Sequence, residues 1–292
     1  MRVGTMTSTF RERREGGEPY SNLEAVRRCY QAGFRVLDMN MCALPRRTMQ
    51  LHLDDWRKQA EELRNEADKL GVSFVQSHLP YRGRLDYNIF DDEGKKFHDE
   101  MVLRGVEISS ILGVKWAVAH PETDPEIGVF DTDANIRWNH QIYDRAVEMG
   151  TKLGVGIAFE NMGDALQRRR FASNARELEY LMDSYKGSLV GLCWDVGHAH
   201  RMFDNQIPAI MELGDKIKAL HIDDNIGQTD MHTLPFLGTI NWEEVFHALY
   251  ASGCKADLIF EVTTNARMPE ALRDTTVRFM YEVGEYLVSL YK

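Results

Sequence analysis

Eight short apolar or β-branched runs alternate along this chain with eight longer stretches of helical period, and six of the runs end on a histidine or an acid. The runs are Arg2–Thr5, Arg35–Asn40, Val72–Ser77, Lys115–Ala119, Val155–Phe159, Leu189–Trp194, Ile217–Leu220 and Asp257–Phe260. Between and after them the spacing predicts helices over Asn22–Gln31, Leu51–Leu70, Lys96–Leu112, Asn135–Leu153, Ala175–Asp183, Ile207–Leu213, Trp242–Ala251 and Glu270–Leu290. Gly71, Gly113, Gly154 and Gly253 stand where helices stop, and Asn174 and Asn241 where they start. Most of the runs are continuously apolar rather than alternating, which is the pattern of a parallel sheet covered on both faces. Eight such units in 292 residues, with no long linker, predict a single-domain (β/α)8 barrel over residues 1–292. An open doubly wound sheet would want a glycine-rich turn after the first strand, and Gly4-Thr5-Met6 is not one.

Composition bounds the partners. Lys and Arg number 35 against 45 Asp and Glu, a net charge of −10, which lacks the cationic excess of a nucleic-acid binder and argues against docking on anionic membranes. No segment approaches the ~20 apolar residues of a membrane span, and the first residues have no apolar run fit for a signal peptide. Cys29, Cys42, Cys193 and Cys254 form no CxxC pair. They read as reduced, packed thiols of a cytoplasmic protein.

The chemistry is expected where the strands end. His78, His120, Glu160, Asp195, His221 and Glu261 each stand at or just past the C-terminal end of a predicted strand, and in a barrel those ends converge on one mouth. Asp195 is the sharpest case: it closes the apolar run of GLCWDVGHAH and is followed by Gly197, read as a turn glycine, then His198 and His200. An ionised carboxylate buried there costs several kcal/mol unless a cation or hydrogen-bond donors meet it. The candidate set is imidazole plus carboxylate without thiolate, which suits one divalent ion, Mn²⁺ or Mg²⁺ first, Zn²⁺ or Co²⁺ next.

The phrases SHLPY, AHPE, FEN, WDVGH, HIDDN and FEVT, in this order, resemble the sugar phosphate isomerase/epimerase superfamily of xylose isomerase-like TIM barrels, which includes ketose 3-epimerases, inosose isomerases and dehydratases, and endonuclease IV. The resemblance implies a metal held by Glu160, Asp195, His221 and Glu261, and a substrate contact from His198. It implies a sugar or polyol-ketone substrate whose carbon-bound proton is acidified beside a metal-chelated carbonyl, giving a metal-stabilised enediolate. Glu160 and Glu261, from the fifth and eighth strands, are the expected acid/base pair on opposite faces of that plane. His78, His120, Asp230, His232 and Arg82 complete the candidate substrate-binding set. A homo-oligomer is left open.

Two alternatives stay beside this reading. A dehydratase of a keto-polyol shares the first proton abstraction. An endonuclease IV-like multi-zinc phosphodiesterase on abasic DNA would use His78, His120, Glu160, Asp195, His198, His221, Asp230, His232 and Glu261 as ligands, and every one of these positions carries a suitable residue type. The loop Asp223–Thr229 departs from the ketose 3-epimerase pattern because it holds no arginine. Arg82 and Arg84 are the basic residues expected at the mouth, and Arg168-Arg169-Arg170 reads as solvated surface. Among the aromatics, Trp116, Trp194 and Phe159 read as barrel core, and Phe236 as the substrate-facing candidate.

Overall fold

A computed structural model describes residues 1–10, 20–81, 91–164, 168–203, 205–263 and 268–292. Eight parallel strands close on themselves in sequence order: β1 (Val3–Met6), β2 (Val36–Asn40), β3 (Ser73–His78), β4 (Trp116–Ala119), β5 (Gly156–Glu160), β6 (Val190–Asp195), β7 (Ile217–Ile222) and β8 (Leu258–Phe260). Among the described residues the helices outside the barrel are α1 (Asn22–Gln31), α2 (Trp56–Leu70), α3 (Asp92–Leu112), α4 (Thr132–Leu153), α5 (Ala175–Ser184), α6 (Val196–Met202), α7 (Ile207–Leu213), α8 (Trp242–Ala251) and α9 (Glu270–Ser289). This is the expected (β/α)8 barrel. None of the described helices is long and apolar enough to cross a membrane.

The helix starts differ from the sequence expectation for local reasons. Residues 51–55 are a 3-10 turn and a bend, and α2 begins only at Trp56, because Leu53 is extended (ψ 164°). Two other helices begin earlier than expected. Asp91 accepts from the Gly94 amide and Asp131 from the Ala134 amide, so each acid caps a helix one turn upstream of the apolar stripe. The helix α6 was not expected. Its N-cap is Asp195 itself, whose Oδ1 accepts from the His198 amide at 2.5 Å. Gly197 is therefore a residue of the first helical turn and not of a loop turn. It is needed because a Cβ there would lie 2.2 Å from Oδ1 of Asp223.

Two breaks in register place the side chains of the mouth. Between β6 and β7, Leu192 pairs with Ile217 but Cys193 pairs with Ala219, so Lys218 is an extra residue and Asp195 comes level with His221. Between β2 and β3, Leu37 pairs with Phe74 but Asp38 pairs with Gln76, which brings Asn40 level with His78. Side chains alternate faces along a strand, so a shift of one residue decides whether a histidine points into the barrel or out of it.

Below the mouth the barrel is closed by apolar packing. Val118, Ala158, Cys193 and Ala219 form a small interior cluster over Trp116. The indole lies against Gly156 and Gly191: a Cβ on Gly156 would meet ring carbons of Trp116 at 2.2 and 2.3 Å, and one on Gly191 would meet Cζ3 of Trp116 at 3.1 Å and Cγ of Lys218 at 2.4 Å. Trp116 thus plugs the floor, and the glycines of β5 and β6 make its room. We expect Gly156→Ala to destabilise the fold by about 1–3 kcal/mol through overpacking. Urea denaturation measures it, and a Gly156→Ala, Trp116→Leu double variant should cost less than the sum of the singles. Trp194 and Phe159 belong to the outer layer between sheet and helices, with the Trp194 indole N–H donating to Oε1 of Gln206 at 3.0 Å. Phe236 packs edge-on against Tyr286 of α9, with its ring half exposed, and its role as a substrate contact finds no support in this placement.

Candidate metal centre

The C-terminal ends of β5, β6, β7 and β8 bring Glu160, Asp195, His221 and Glu261 together. One donor atom from each lies within 4.8 Å of the other three. His221 Nδ1 stands 2.9 Å from Oε2 of Glu261, 3.5 Å from Oε1 of Glu160 and 3.8 Å from Oδ2 of Asp195. Glu160 and Asp195 are about as buried as side chains can be, and Glu261 is 16% exposed at its side chain. The Asp195 carboxylate is divided: Oδ1 caps α6 and Oδ2 faces the cluster. Asn161 holds the two strand ends in place, accepting from the Asp195 amide at 2.6 Å and donating to the Asp195 carbonyl at 2.9 Å.

The donor set fits a divalent cation. Both oxygens of Glu160, Oδ2 of Asp195, Nδ1 of His221 and Oε2 of Glu261 are buried without a hydrogen-bond partner. Each such atom costs about 1–3 kcal/mol when left unsatisfied. Five in one place are the signature of a group that a cation would satisfy.

The other expected residues surround this centre. His120 Nε2 is 3.2 Å from Oε2 of Glu160, on the side away from His221. His78 Nε2 is 3.7 Å from Oε2 of Glu261, and its ring stacks on that of His221 at 4.4 Å. His198 Nδ1 donates to the Asn161 carbonyl at 2.9 Å and lies 3.1 Å from Oε1 of Glu160, leaving Nε2 directed at Oδ2 of Asp230, 3.5 Å away. His232 donates from Nδ1 to the Glu261 carbonyl at 3.0 Å and meets Oδ2 of Asp230 through Nε2 at 3.1 Å, with its backbone at φ +43°. His78, His120 and Glu160 form a second group of metal-binding spacing, and His198, Asp230 and His232 a third. Arg82 and Arg84 lie outside the described residues. His200 bonds Oγ1 of Thr239 at 2.8 Å, away from the cluster.

Several residues of the site were not expected. Asp38, buried inside β2, holds Nδ1 of His78 with both oxygens at 3.0 Å. Gln76, buried in β3, reaches Nε2 of His221 at 2.8 Å. In both cases the sequence shows a charged or amide side chain inside a strand, but nothing in it names the partner. Asp223 is buried with neither oxygen partnered, and Cys193 lies within ligand distance of Glu160 and His221. Burial pushes the Cys193 thiol up to about 12 against the pull of His221. Asp224, by contrast, is spent on the loop: it accepts from the amides of Asn225 and Phe236 at 2.8 and 3.0 Å and from the Trp242 indole at 2.9 Å. The arginine run is also not all solvated surface. Arg170 lies over the Tyr81 ring, 5.7 Å from its centroid, and Tyr81 tilts against His120 at 4.7 Å, which puts a cation beside the mouth.

The electrostatics separate the acids. Burial disfavours charge on every one of them. In Glu160 it is overcome by His120, His221 and His198, which hold the carboxyl well below the usual range. In Glu261 it is overcome by His221 and His78. Burial lowers His221 too, but the ionised Glu160 and Glu261 beside it more than reverse this and the ring is raised. Asp195 goes the other way: burial, opposed by His198 but reinforced by Glu160 and Glu261, pushes it up to about 6. His120, with burial outweighing the pull of Glu160, falls to about 4 and is neutral above that pH.

The Asp195 shift carries a pH prediction for chelator-stripped protein. Its folded pKa lies above the ordinary 3.8, so the folded state holds the proton more tightly than the unfolded chain does. That stabilisation is fully present below about pH 4 and is lost as pH rises through about 6, about 3 kcal/mol at most. The urea midpoint of Asp195→Asn should therefore gain on that of the wild type across this window. A constant difference between the two would refute the shift.

A parallel eight-stranded barrel with acids and imidazoles gathered at its C-terminal mouth has the layout in which α/β barrels carry their sites. The chain belongs to the xylose isomerase-like TIM barrel family, whose model matches residues 26–283. A curated relative, an uncharacterized protein y4fM of Sinorhizobium fredii, is 26% identical over 164 residues, 56% of this chain. The match covers 51% of that protein, so the chain spans about half the length of the curated relative it matches. Solved structures share the fold over nearly the whole chain. A D-tagatose 3-epimerase-like protein is 20% identical at a TM-score of 0.75, covering 100% of this chain and 98% of that one. The 3-keto-D-glucoside 4-epimerase YcjR from E. coli is 16% identical at 0.71, covering 97% and 99%. The IOLI protein, solved with a zinc atom, is 17% identical at 0.72, covering 100% and 98%.

Proposed function

We propose that the protein is a metal-dependent isomerase or epimerase of a sugar or polyol-ketone, acting at the mouth formed by β5–β8. The observation that carries the reading is the convergence of five unsatisfied donor atoms from Glu160, Asp195, His221 and Glu261. The kinship with xylose isomerase-like barrels, and the fold shared with solved sugar epimerases, support the substrate class. These four residues would hold one divalent ion, Mn²⁺ or Mg²⁺ by the hardness of three carboxylates and one imidazole, with Zn²⁺ or Co²⁺ next. When bound, that ion supplies Lewis-acid polarisation of a substrate carbonyl.

The chain's own residues do the rest. Glu160 and Glu261 are held as carboxylates and come from β5 and β8, so they approach a ligand in the mouth from different sides. One removes the proton from the carbon next to the carbonyl; the other, having first taken a proton from solvent, delivers that proton, and the first then loses its own to solvent so that the pair is reset. Return to the opposite face of the same carbon gives an epimer, and return to the neighbouring carbon gives an aldose–ketose isomer. His198 fixes Glu160 from one side and His120, neutral above about pH 4, from the other. His78, His232 and Asp230 line the remaining wall and would hold substrate hydroxyls, with Arg170 a cation at the rim. The reading goes with one barrel domain over residues 1–292 in a cytoplasmic setting, no nucleic acid and no membrane.

A panel of ketoses and inososes incubated with the Mn²⁺-loaded protein in D₂O tests it. Deuterium at the carbon beside the carbonyl of a converted substrate is the expected result. No exchange into any member of the panel, with stoichiometric metal bound, would overturn it. One observation favours a second reading: His78–His120–Glu160 and His198–Asp230–His232 are also spaced to bind ions. A three-zinc phosphodiesterase on abasic DNA would use all three groups, and cleavage of an abasic duplex by zinc-loaded protein would establish it.

A further inference from the structure

We propose that Gln76 is a positioning residue that sets the tautomer of His221 and so governs how tightly the cluster holds a divalent cation. The proposal rests on the metal-centre reading above. Gln76 projects from β3, on the far side of the barrel from β7, and its amide nitrogen meets Nε2 of His221 at 2.8 Å. Gln76 is 2% exposed and His221 is fully buried, so water does not substitute for either partner.

The neighbouring carboxylates favour charge on the His221 ring, but an Nε2 that accepts from the Gln76 amide carries no proton, so in this arrangement the ring is neutral, with its one proton on Nδ1. In the structure Nδ1 faces Oε2 of Glu261 at 2.9 Å, and Nε2 faces the amide N–H of Gln76. Nδ1–H then lies close to the carboxylate without completing a hydrogen bond, and Nε2 accepts from the amide. A cation seated among the carboxylates needs the Nδ1 lone pair, which moves the proton to Nε2. The amide must then turn by half a revolution and accept with Oε1. The two amide orientations have the same shape, so the turn costs no repacking. Glutamine can serve both states. Glutamate serves only the loaded one, and methionine, of similar length, offers little to either. The ring plane is set independently, by the stack on His78 at 4.4 Å and by the hold of Asp38 on His78. Gln76 is left with the proton.

The test uses chelator-stripped protein titrated with Mn²⁺ alone, with Gln76→Met and Gln76→Glu beside the wild type. Loss of a hydrogen-bond partner behind a metal-ligating histidine weakens binding about 10–100-fold. We expect Gln76→Met to show that loss and Gln76→Glu to bind at least as tightly as the wild type. Long-range ¹H–¹⁵N spectra of the zinc-loaded wild type should show the His221 proton on Nε2. A side chain that merely fills space would give losses in both variants. The proposal is overturned by wild-type affinity in Gln76→Met, by a matching loss in Gln76→Glu, or by a loaded His221 protonated on Nδ1. Should the wild type bind no Mn²⁺ at all, the metal-centre reading itself fails and takes the proposal with it, an outcome distinct from binding that ignores Gln76.

Discussion

Glu160→Gln is expected to lower kcat by about 10²–10⁴, the range of a lost general acid–base group, with more lost if cation binding also weakens. Glutamine keeps the shape of the side chain and removes the one property the reaction needs, a carboxylate that takes up and gives back a proton. Glu160 is buried with both oxygens unsatisfied, and three histidines hold it ionised. No other described carboxylate sits between His120 and His198 to replace it. Glu261→Gln should cost a similar factor from the other side of the substrate. Steady-state kinetics on the substrate found by deuterium exchange measures both. If one variant retained full turnover, the two-base scheme would be wrong and the surviving carboxylate would act alone. The double variant should be little worse than either single, because two groups of one proton relay do not contribute additively.

Removal of the metal is expected to have the second large effect, on stability and on activity together. A ligand that binds only the folded state stabilises it by about 2.7 kcal/mol at 100 times its Kd. Stripping should therefore lower the urea midpoint at pH 7, and added Mn²⁺ should restore it in a concentration-dependent way. The physical source is the crowding of Glu160, Asp195 and Glu261 around His221, where charge is buried and hydrogen-bond capacity unused. Elemental analysis of the protein as purified gives the count. One Mn or Mg per chain agrees with the isomerase reading. Three zincs per chain agree with the phosphodiesterase reading and shift the substrate search to abasic DNA. A protein whose midpoint ignores both chelator and Mn²⁺ would show that the cluster binds no ion.

Much of this site was legible from residue order. The ends of the apolar runs at Glu160, Asp195, His221 and Glu261 are adjacent in space because parallel strands in a barrel all end at one mouth. Supporting residues were harder to read. Asp38 and Gln76 stand in strand interiors, where a polar side chain has no meaning until its partner is known. Their partners, His78 and His221, are 40 and 145 residues away. Arg170 was read as surface because its neighbours are arginines, and only packing shows its guanidinium over Tyr81 beside His120.

Residue order by itself determined the alternation of strand and helix, the closed parallel barrel and the identity of the acids and imidazoles at its mouth. These follow from local periodicity and from one topological rule. Tertiary structure decided which way those side chains point and what stands behind them. The extra residue Lys218 in β7 brings His221 level with Asp195, and the break beside Asp38 brings His78 level with Asn40. A strand has a period of two, and a break of one residue leaves no trace in an apolar pattern that is buried on both faces. The same is true of Asp195. Its burial was readable, but the division of its carboxylate, one oxygen capping α6 and the other turned to Glu160, His221 and Glu261, arises only when helix and strands are packed together.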